Sequence, residues 1–356
     1  MMKSFVFDTR LPRVLFADGS LERLPDEVAL QGGRRVLVLC TPQQTGHAAR
    51  VCSLLGAQAV ATFDQAVMHV PVATVDAAAA VARAGQVDLA VAIGGGSTIG
   101  LAKALALRHD LPFIAIPTTY AGSEMTSIYG ITDAGMKRTG RDPKVLARAV
   151  LYDPSLTLDL PVGMSVVSGL NAIAHAAEGL YATDGNPVIS LMAEEGVRAV
   201  ATAIASLPGA PNDPTLRAQA LYGAWLCGTV LGNTSMGLHH KLCHTLGGTF
   251  DLPHAELHAV ILPHALAYNA GSASEAMSRL ASALGHIDPP DVPACLFDLA
   301  RRCGAPSSLR EIGMKAADLD RAAELALQQR YPNPRALEPA AIRELLQHAF
   351  DGVPPV

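Results

Sequence analysis

Charge is scarce in this chain: 17% of its 356 residues are Asp, Glu, Lys or Arg, aromatic residues make up only 4%, and there is one tryptophan. Half of the residues are hydrophobic, which excludes intrinsic disorder and leaves enough apolar surface for two cores. No run of Lys or Arg occurs and the net charge is -5, so the footprint of a nucleic-acid or membrane-surface protein is missing. The six cysteines (40, 52, 227, 243, 295 and 303) form no CxxC pair and point to reduced, mostly buried thiols rather than a disulfide framework. Long apolar runs are missing too. The stretch from Val72 to Ala82 is broken by Asp76, well short of the ~18 uninterrupted residues that a membrane span needs. The start of the chain, Met1 to Phe5, has no apolar signal core before Asp8 and Arg10. The expectation is a cytoplasmic protein with neither nucleic acid nor membrane as partner.

What is present is an alternation of short β-branched runs with helical patterns over roughly the first 150 residues, the signature of parallel strands joined by helices. Strands are predicted at Arg35 to Cys40, Ala57 to Phe63, Leu89 to Ile93 and Phe113 to Ile116, with helices at Thr45 to Leu55 and Val72 to Arg83. After Asp153-Pro154 the period changes, and helices are predicted at Ser165 to Tyr181, Val188 to Ser206, Leu216 to Leu231, Met236 to Leu246, His254 to Ala267 and beyond. Two domains follow: residues 1–155, an α/β dinucleotide-binding domain with a mostly parallel sheet, and residues 156–356, an all-helical substrate and catalytic domain.

The Leu89 strand runs straight into Gly94-Gly95-Gly96-Ser97 and then a helix, where backbone amides and a helix N-terminus favour a bound diphosphate. The pattern is neither GxGxxG nor a Walker P-loop, and a GGGS turn alone is often only a tight connection. A second strand end, Pro117-Thr118-Thr119, adds hydroxyl donors and favours cofactor binding. The first strand ends in Cys40-Thr41-Pro42, with no acid to repel the 2'-phosphate of NADPH, so both NADH and NADPH are expected as cofactors.

Six of the twelve histidines (239, 240, 244, 254, 258 and 264) fall within one stretch of 26 residues. Asn171 and His175, and likewise His240 and His244, are four apart and share helix faces. Imidazoles from two helices plus a carboxylate would suit a divalent metal, but Asn171 offers only an uncharged amide oxygen. Histidines hydrogen-bonded at a polar helix interface are the alternative reading.

With Lys103, these segments (GGGSTIGLAK, Pro117-Thr118-Thr119, Ser168 to Tyr181 and Gly237 to His264) resemble the iron-containing alcohol dehydrogenase family over nearly the whole chain. The resemblance implies a dehydroquinate synthase-like fold, an active site between the two domains and a homodimer. It places Asn171, His175, His240 and His254 where ordinary members hold Fe or Zn through an Asp and three His, and His244 beside the nicotinamide. Two departures, Asn171 for the Asp and Gly100 for the acid of GGGSxxD, together with the tract Lys137 to Pro143, look like the maleylacetate reductase subgroup, which is described as needing no metal. That subgroup reduces the carbon–carbon double bond of maleylacetate to 3-oxoadipate in the breakdown of aromatic compounds.

On this basis His244, His240, His175 and His254 are the expected catalytic residues, with His244 the first choice for proton donor or enolate stabiliser. Gly94, Gly95, Gly96, Ser97, Thr118, Thr119, Thr41, Pro42 and Lys137 are expected at the cofactor, and no metal is expected. Asn171, Ser123 and Lys241 are expected at the substrate, a small dianion that a cluster of protonatable histidines and a lysine would attract. Lys241 also reads as a solvated neighbour and Ser123 as a helix cap; His258 and His264 are read as structural. The competing functions are a metal-dependent alcohol or glycerol dehydrogenase and a non-catalytic dinucleotide-binding protein.

Overall fold

The computed structural model describes residues 4–9, 11–133, 136–328 and 331–355, and for Met136 and Lys137 the backbone alone. The chain divides into two compact units, Thr9–Leu160 and Pro161–Val356, the latter joined by the residues up to Asp8.

The first unit carries strands β1 (Arg13–Phe16), β2 (Val36–Leu39), β3 (Ala59–Phe63), β4 (Leu89–Gly94), β5 (Phe113–Pro117), β6 (Ile128–Asp133), β7 (Met136–Arg141) and β8 (Ala149–Tyr152). Six of them form one sheet in the order β1-β8-β5-β4-β2-β3, parallel throughout. A parallel sheet is covered on both faces, so its inner strands read as unbroken apolar runs, and β2, β4, β5 and β8 are buried at every residue. Helices α1 (Leu24–Leu30) and α2 (Thr45–Leu55) close one face, where Val28, Val51 and Leu55 meet Val38, Val91, Ile114 and Leu151. Helices α3 (Val72–Ala84) and α4 (Gly96–His109) pack together, α4 lying on β4 and β5. β6 and β7 stand apart as an antiparallel hairpin. β1, β8, α1 and the hairpin are additions to the elements predicted.

Among the described residues the second unit is helical: α5 (Val162–Leu180), α6 (Pro187–Ser206), α7 (Pro214–Asn233), α8 (Leu238–Phe250), α9 (His254–Ala270), α10 (Ser274–Ala283), α11 (Val292–Arg302), α12 (Leu319–Leu327) and α13 (Pro339–Asp351). Asn186 and Asp213 cap α6 and α7, each accepting two backbone N–H bonds ahead of a proline at the first helical position. α5 is buried at every residue from Ser165 to Gly179, the mark of a helix packed on all sides, with α6, α7 and α9 against it. α8 and α9 close a second core with α12 and α13, built on Leu238, Leu242, Leu246, Leu257, Ile261, Ile342 and Leu346. No helix among the described residues is long and apolar enough to cross a membrane.

Candidate active site

The candidate residues fall into two groups, one in each unit. In the α/β unit, β4 and β5 are paired in parallel register up to Gly94 and Pro117, so both end at the carboxyl edge of the sheet. Gly94 has φ 152°, and a Cβ on it would lie 2.5 Å from both Gln44 Oε1 and Thr98 Oγ1; a Cβ on Gly95 would lie 2.9 Å from Thr119 Cγ2. These two glycines are therefore required by the turn itself. Gly96 is different: it is exposed, with open space where its side chain would be. It begins α4, whose N-terminus has no side-chain cap, so the first amides stay available to an anion, with Ser97 beside them. This arrangement fits a dinucleotide diphosphate.

Thr118 is buried and its hydroxyl accepts a 2.6 Å hydrogen bond from Gln44 Nε2. Gln44, a residue missed in the sequence, thus ties the end of β2 to the end of β5, and its carbonyl oxygen lies 3.5 Å from Thr41 Oγ1. Pro42 is exposed at the same edge. Ser123 is the first residue of a 3-10 turn whose cap is Gly122, so the capping alternative does not hold. Lys137 lies on β7, and its side chain is outside the described part of the structure. Lys103 ties the 3-10 turn to the start of β6 instead: its amine donates to Thr126 O, Thr126 Oγ1 and Ile128 O at 2.9, 2.8 and 2.7 Å. Gly100 leaves room for Val70, whose Cγ2 would be 2.8 Å from an added Cβ, so an acid at that position would collide with the segment leading into α3.

In the helical unit, Asn171 and His175 on α5, His240 on α8 and His258 on α9 are all at least nine-tenths buried. The His240 ring centroid is 5.1 Å from that of His175 and 5.2 Å from that of His258; His254 meets His258 edge-on at 4.4 Å. His244 is 6.2 Å from His240, one turn further along α8, and exposed. His258 is therefore central to the cluster. His239, also missed, joins it through a 2.9 Å bond between its Nε2 and His258 Nδ1. His264 lies apart, edge-on to Phe297.

The cluster has a carboxylate after all, at a position the sequence reading did not weigh. Glu178, one turn beyond His175 on α5, accepts from His240 Nδ1 at 2.7 Å and from the backbone N–H groups of Gly237, His239 and His240 at 3.0, 2.8 and 3.3 Å. Tyr181 adds its hydroxyl at 3.2 Å. The Glu178 side chain thus caps α8 from another helix, where an anion is favoured by the free amides and the helix dipole. Gly237 permits the approach, since a Cβ there would lie 3.1 Å from Glu178 Oε1. Burial would push the Glu178 carboxyl up, but the hydrogen bond and charge of His240 and the surrounding donors outweigh it and hold it down, at about 2.

Three rings of the cluster resist protonation. Burial first, then repulsion from the neighbouring rings, holds His175 and His258 well below the ordinary value of 6.5 and His239 at about 3. This corrects the expectation that the whole cluster would supply positive charge to a dianion: desolvation keeps its inner rings uncharged. Asn171 Oδ1, His175 Nδ1, His240 Nε2, His239 Nδ1 and His258 Nε2 are buried without a hydrogen-bond partner. Such orphaned atoms in one place mark a site built for a polar ligand.

The family's metal is poorly matched by these residues. Among the described residues, the one group of three potential ligand atoms lying within 4.8 Å of one another is His239, Cys243 and His258, which leaves out His175, His240 and His254. Burial pushes the Cys243 thiol well above its ordinary value, and the two histidines of that group already bond to each other. Glu178, the carboxylate at hand, is committed to the other nitrogen of His240 and to the α8 amides.

A parallel α/β unit with an open glycine turn at its carboxyl edge, followed by a helical unit with a buried histidine cluster, is the build of a nicotinamide-dependent dehydrogenase or reductase. The chain belongs to the iron-containing alcohol dehydrogenase family: residues 12–154 match the family's iron-containing alcohol dehydrogenase model and residues 165–350 its C-terminal model. It is 59% identical over 354 residues to a maleylacetate reductase of Burkholderia cepacia, covering 99% of this chain and 100% of that one. Among solved structures it is similar to a putative alcohol dehydrogenase of Ralstonia eutropha JMP134 (TM-score 0.97, 56% identity, 99% and 100% coverage). A maleylacetate reductase of Agrobacterium tumefaciens superposes with TM-score 0.95 at 52% identity and the same coverage.

Proposed function

We propose that this chain is a maleylacetate reductase, which uses NADH or NADPH to reduce the carbon–carbon double bond of maleylacetate and yields 3-oxoadipate. The observation that carries the reading is the 59% identity along the full length of a relative bearing that name. Residues at the glycine turn (Gly94, Gly95, Gly96, Ser97), the two further strand ends (Thr41, Pro42, Thr118, Thr119) and Lys137 would hold the nicotinamide cofactor, which supplies the hydride when bound.

The chemistry of an enone explains what the helical unit contributes. Hydride addition at the carbon β to the ketone places negative charge on the ketone oxygen, and a donor held in a dry site stabilises it. His240, whose Nδ1 is bonded to Glu178 and whose Nε2 is buried without a partner, is the ring of the cluster placed to meet the substrate there. His244 is exposed and exchanges protons with water, so it delivers the proton to the carbon α to the ketone. Asn171, His175 and His254 orient the substrate, with Lys241 and Ser123 as further contacts to its carboxylates. No resident metal takes part, in line with the neutral side chain of Asn171 and the commitment of Glu178. The protein works in the cytoplasm, as a homodimer.

The deciding experiment is NADH oxidation with maleylacetate, with identification of the product. Formation of 3-oxoadipate supports the reading. A hydroxy acid from ketone reduction, or turnover of primary alcohols alone, assigns the chain to the alcohol dehydrogenases instead.

A further inference from the structure

We propose that Glu178 is the positioning residue of His240: its carboxylate fixes the ring as the Nδ1–H tautomer, so that Nε2 is the atom through which His240 meets the substrate. The inference deepens the function proposed above and rests on it for its kinetic part alone.

The geometry supports it at three points. An ionised carboxylate only accepts hydrogen bonds, so the 2.7 Å contact with Nδ1 requires hydrogen on that nitrogen. The carboxylate is held by three backbone N–H groups of α8 and by the Tyr181 hydroxyl, so it cannot turn without breaking the cap of that helix. The other ring nitrogen, Nε2, is buried and has no partner, a costly state unless a ligand atom comes to it. Capping alone would need the backbone bonds but not the bond to the ring.

Oε2 takes the ring together with the N–H groups of Gly237 and His240, so a glutamine that holds its oxygen there keeps all three bonds, and Glu178→Leu is the variant that removes them. Nitrogen-15 spectra of histidine-labelled protein at alkaline pH, assigned against His240→Ala, should report Nδ1–H for His240 in the native protein and in Glu178→Gln, and the loss of that fixed tautomer in Glu178→Leu. This readout needs no substrate, so it stands or falls apart from the choice of maleylacetate. With substrate, Glu178→Leu should lower kcat by on the order of a hundredfold or more, the weight of one positioned acid or base, while KM for NADH stays unchanged. In the double variant Glu178→Leu/His240→Ala, the leucine should add nothing to the loss caused by His240→Ala. A native His240 carrying its hydrogen on Nε2 overturns the proposal even if Glu178→Leu fails to fold. So does a leucine effect of equal size with and without His240, which would leave Glu178 as a helix cap.

Discussion

His239 Nε2 and His258 Nδ1 lie 2.9 Å apart, each ring fully or almost fully buried, and the bond between them holds only while one hydrogen is shared. Protonating both rings would put a hydrogen on each of those nitrogens, break that bond and place like charges at contact in a low-dielectric interior.

The first prediction follows from that bond. His175 and His258 are held well below 6.5, His239 at about 3 and His264 at about 4, in each case by burial before any other cause. Below pH 6.5 the unfolded chain takes up protons on these rings that the folded chain refuses, so stability is greatest above 6.5 and falls as pH falls. Each such ring contributes a slope of about 1.4 kcal/mol per pH unit. Glu178 acts in the same direction at lower pH, because its carboxyl sits at about 2 against an ordinary 4.5. Tm should drop steeply between neutral pH and about pH 5, with several protons taken up per molecule unfolded in calorimetry. A flat Tm across that range would mean the rings are charged in the folded protein.

The α/β pattern was legible wherever a strand was long and apolar or a turn chemically distinctive. α2 runs over Thr45–Leu55 as read, and β4 runs into the glycine turn. β1 and β8 escaped because each is four residues long and owes its strand character to pairing with a distant partner, Arg13 with Ala149 and Phe16 with Tyr152. The site was half legible. Asn171, His175 and His240 were found by helical spacing, and the same rule applied one step further reaches Glu178, three residues after His175. Reading for a carboxylate at position 171 alone hid it. His258, four residues after His254, carried the same signal. Gln44 had none: only the fold brings it to Thr118.

Cofactor selectivity should be modest. Thr41 presents no carboxylate at the end of β2, so a 2'-phosphate is not repelled there, and both NADH and NADPH should support turnover. The acid at this edge is Asp64, which follows Phe63, the partner of Leu39 in the β2–β3 register, and is exposed. Asp64→Asn should therefore narrow any preference for NADH, as read from kcat/KM with each cofactor. A preference of ~10⁴ or more that Asp64→Asn leaves intact would place the discriminating contact elsewhere.

Metal content is the next test. The protein purified from medium supplemented with iron and zinc should carry neither in stoichiometric amount, and EDTA should leave its rate unchanged. The argument is the donor set: an amide at Asn171, imidazoles not gathered at one point, and a carboxylate already holding His240 and α8. About one ion per chain, lost together with activity on chelation, would refute it.

The division of work between His244 and His175 can be read from kinetics. His244 is exposed and 6.2 Å from His240, and its assigned task is proton delivery in the transition state, so His244→Ala should lower kcat more than it raises KM for maleylacetate. His175 is buried and neutral, and its Nδ1 has no partner within the protein. His175→Ala should weaken substrate binding by the loss of one neutral hydrogen bond, roughly 0.5–1.5 kcal/mol, or about a tenfold rise in KM at the upper end. Because no charge is lost, the ratio of the variant's KM to the native one should not change with ionic strength. A ratio that collapses toward one as salt is added would mean His175 meets the dianion as an imidazolium, and a normal kcat in His244→Ala would remove His244 from the proton transfer.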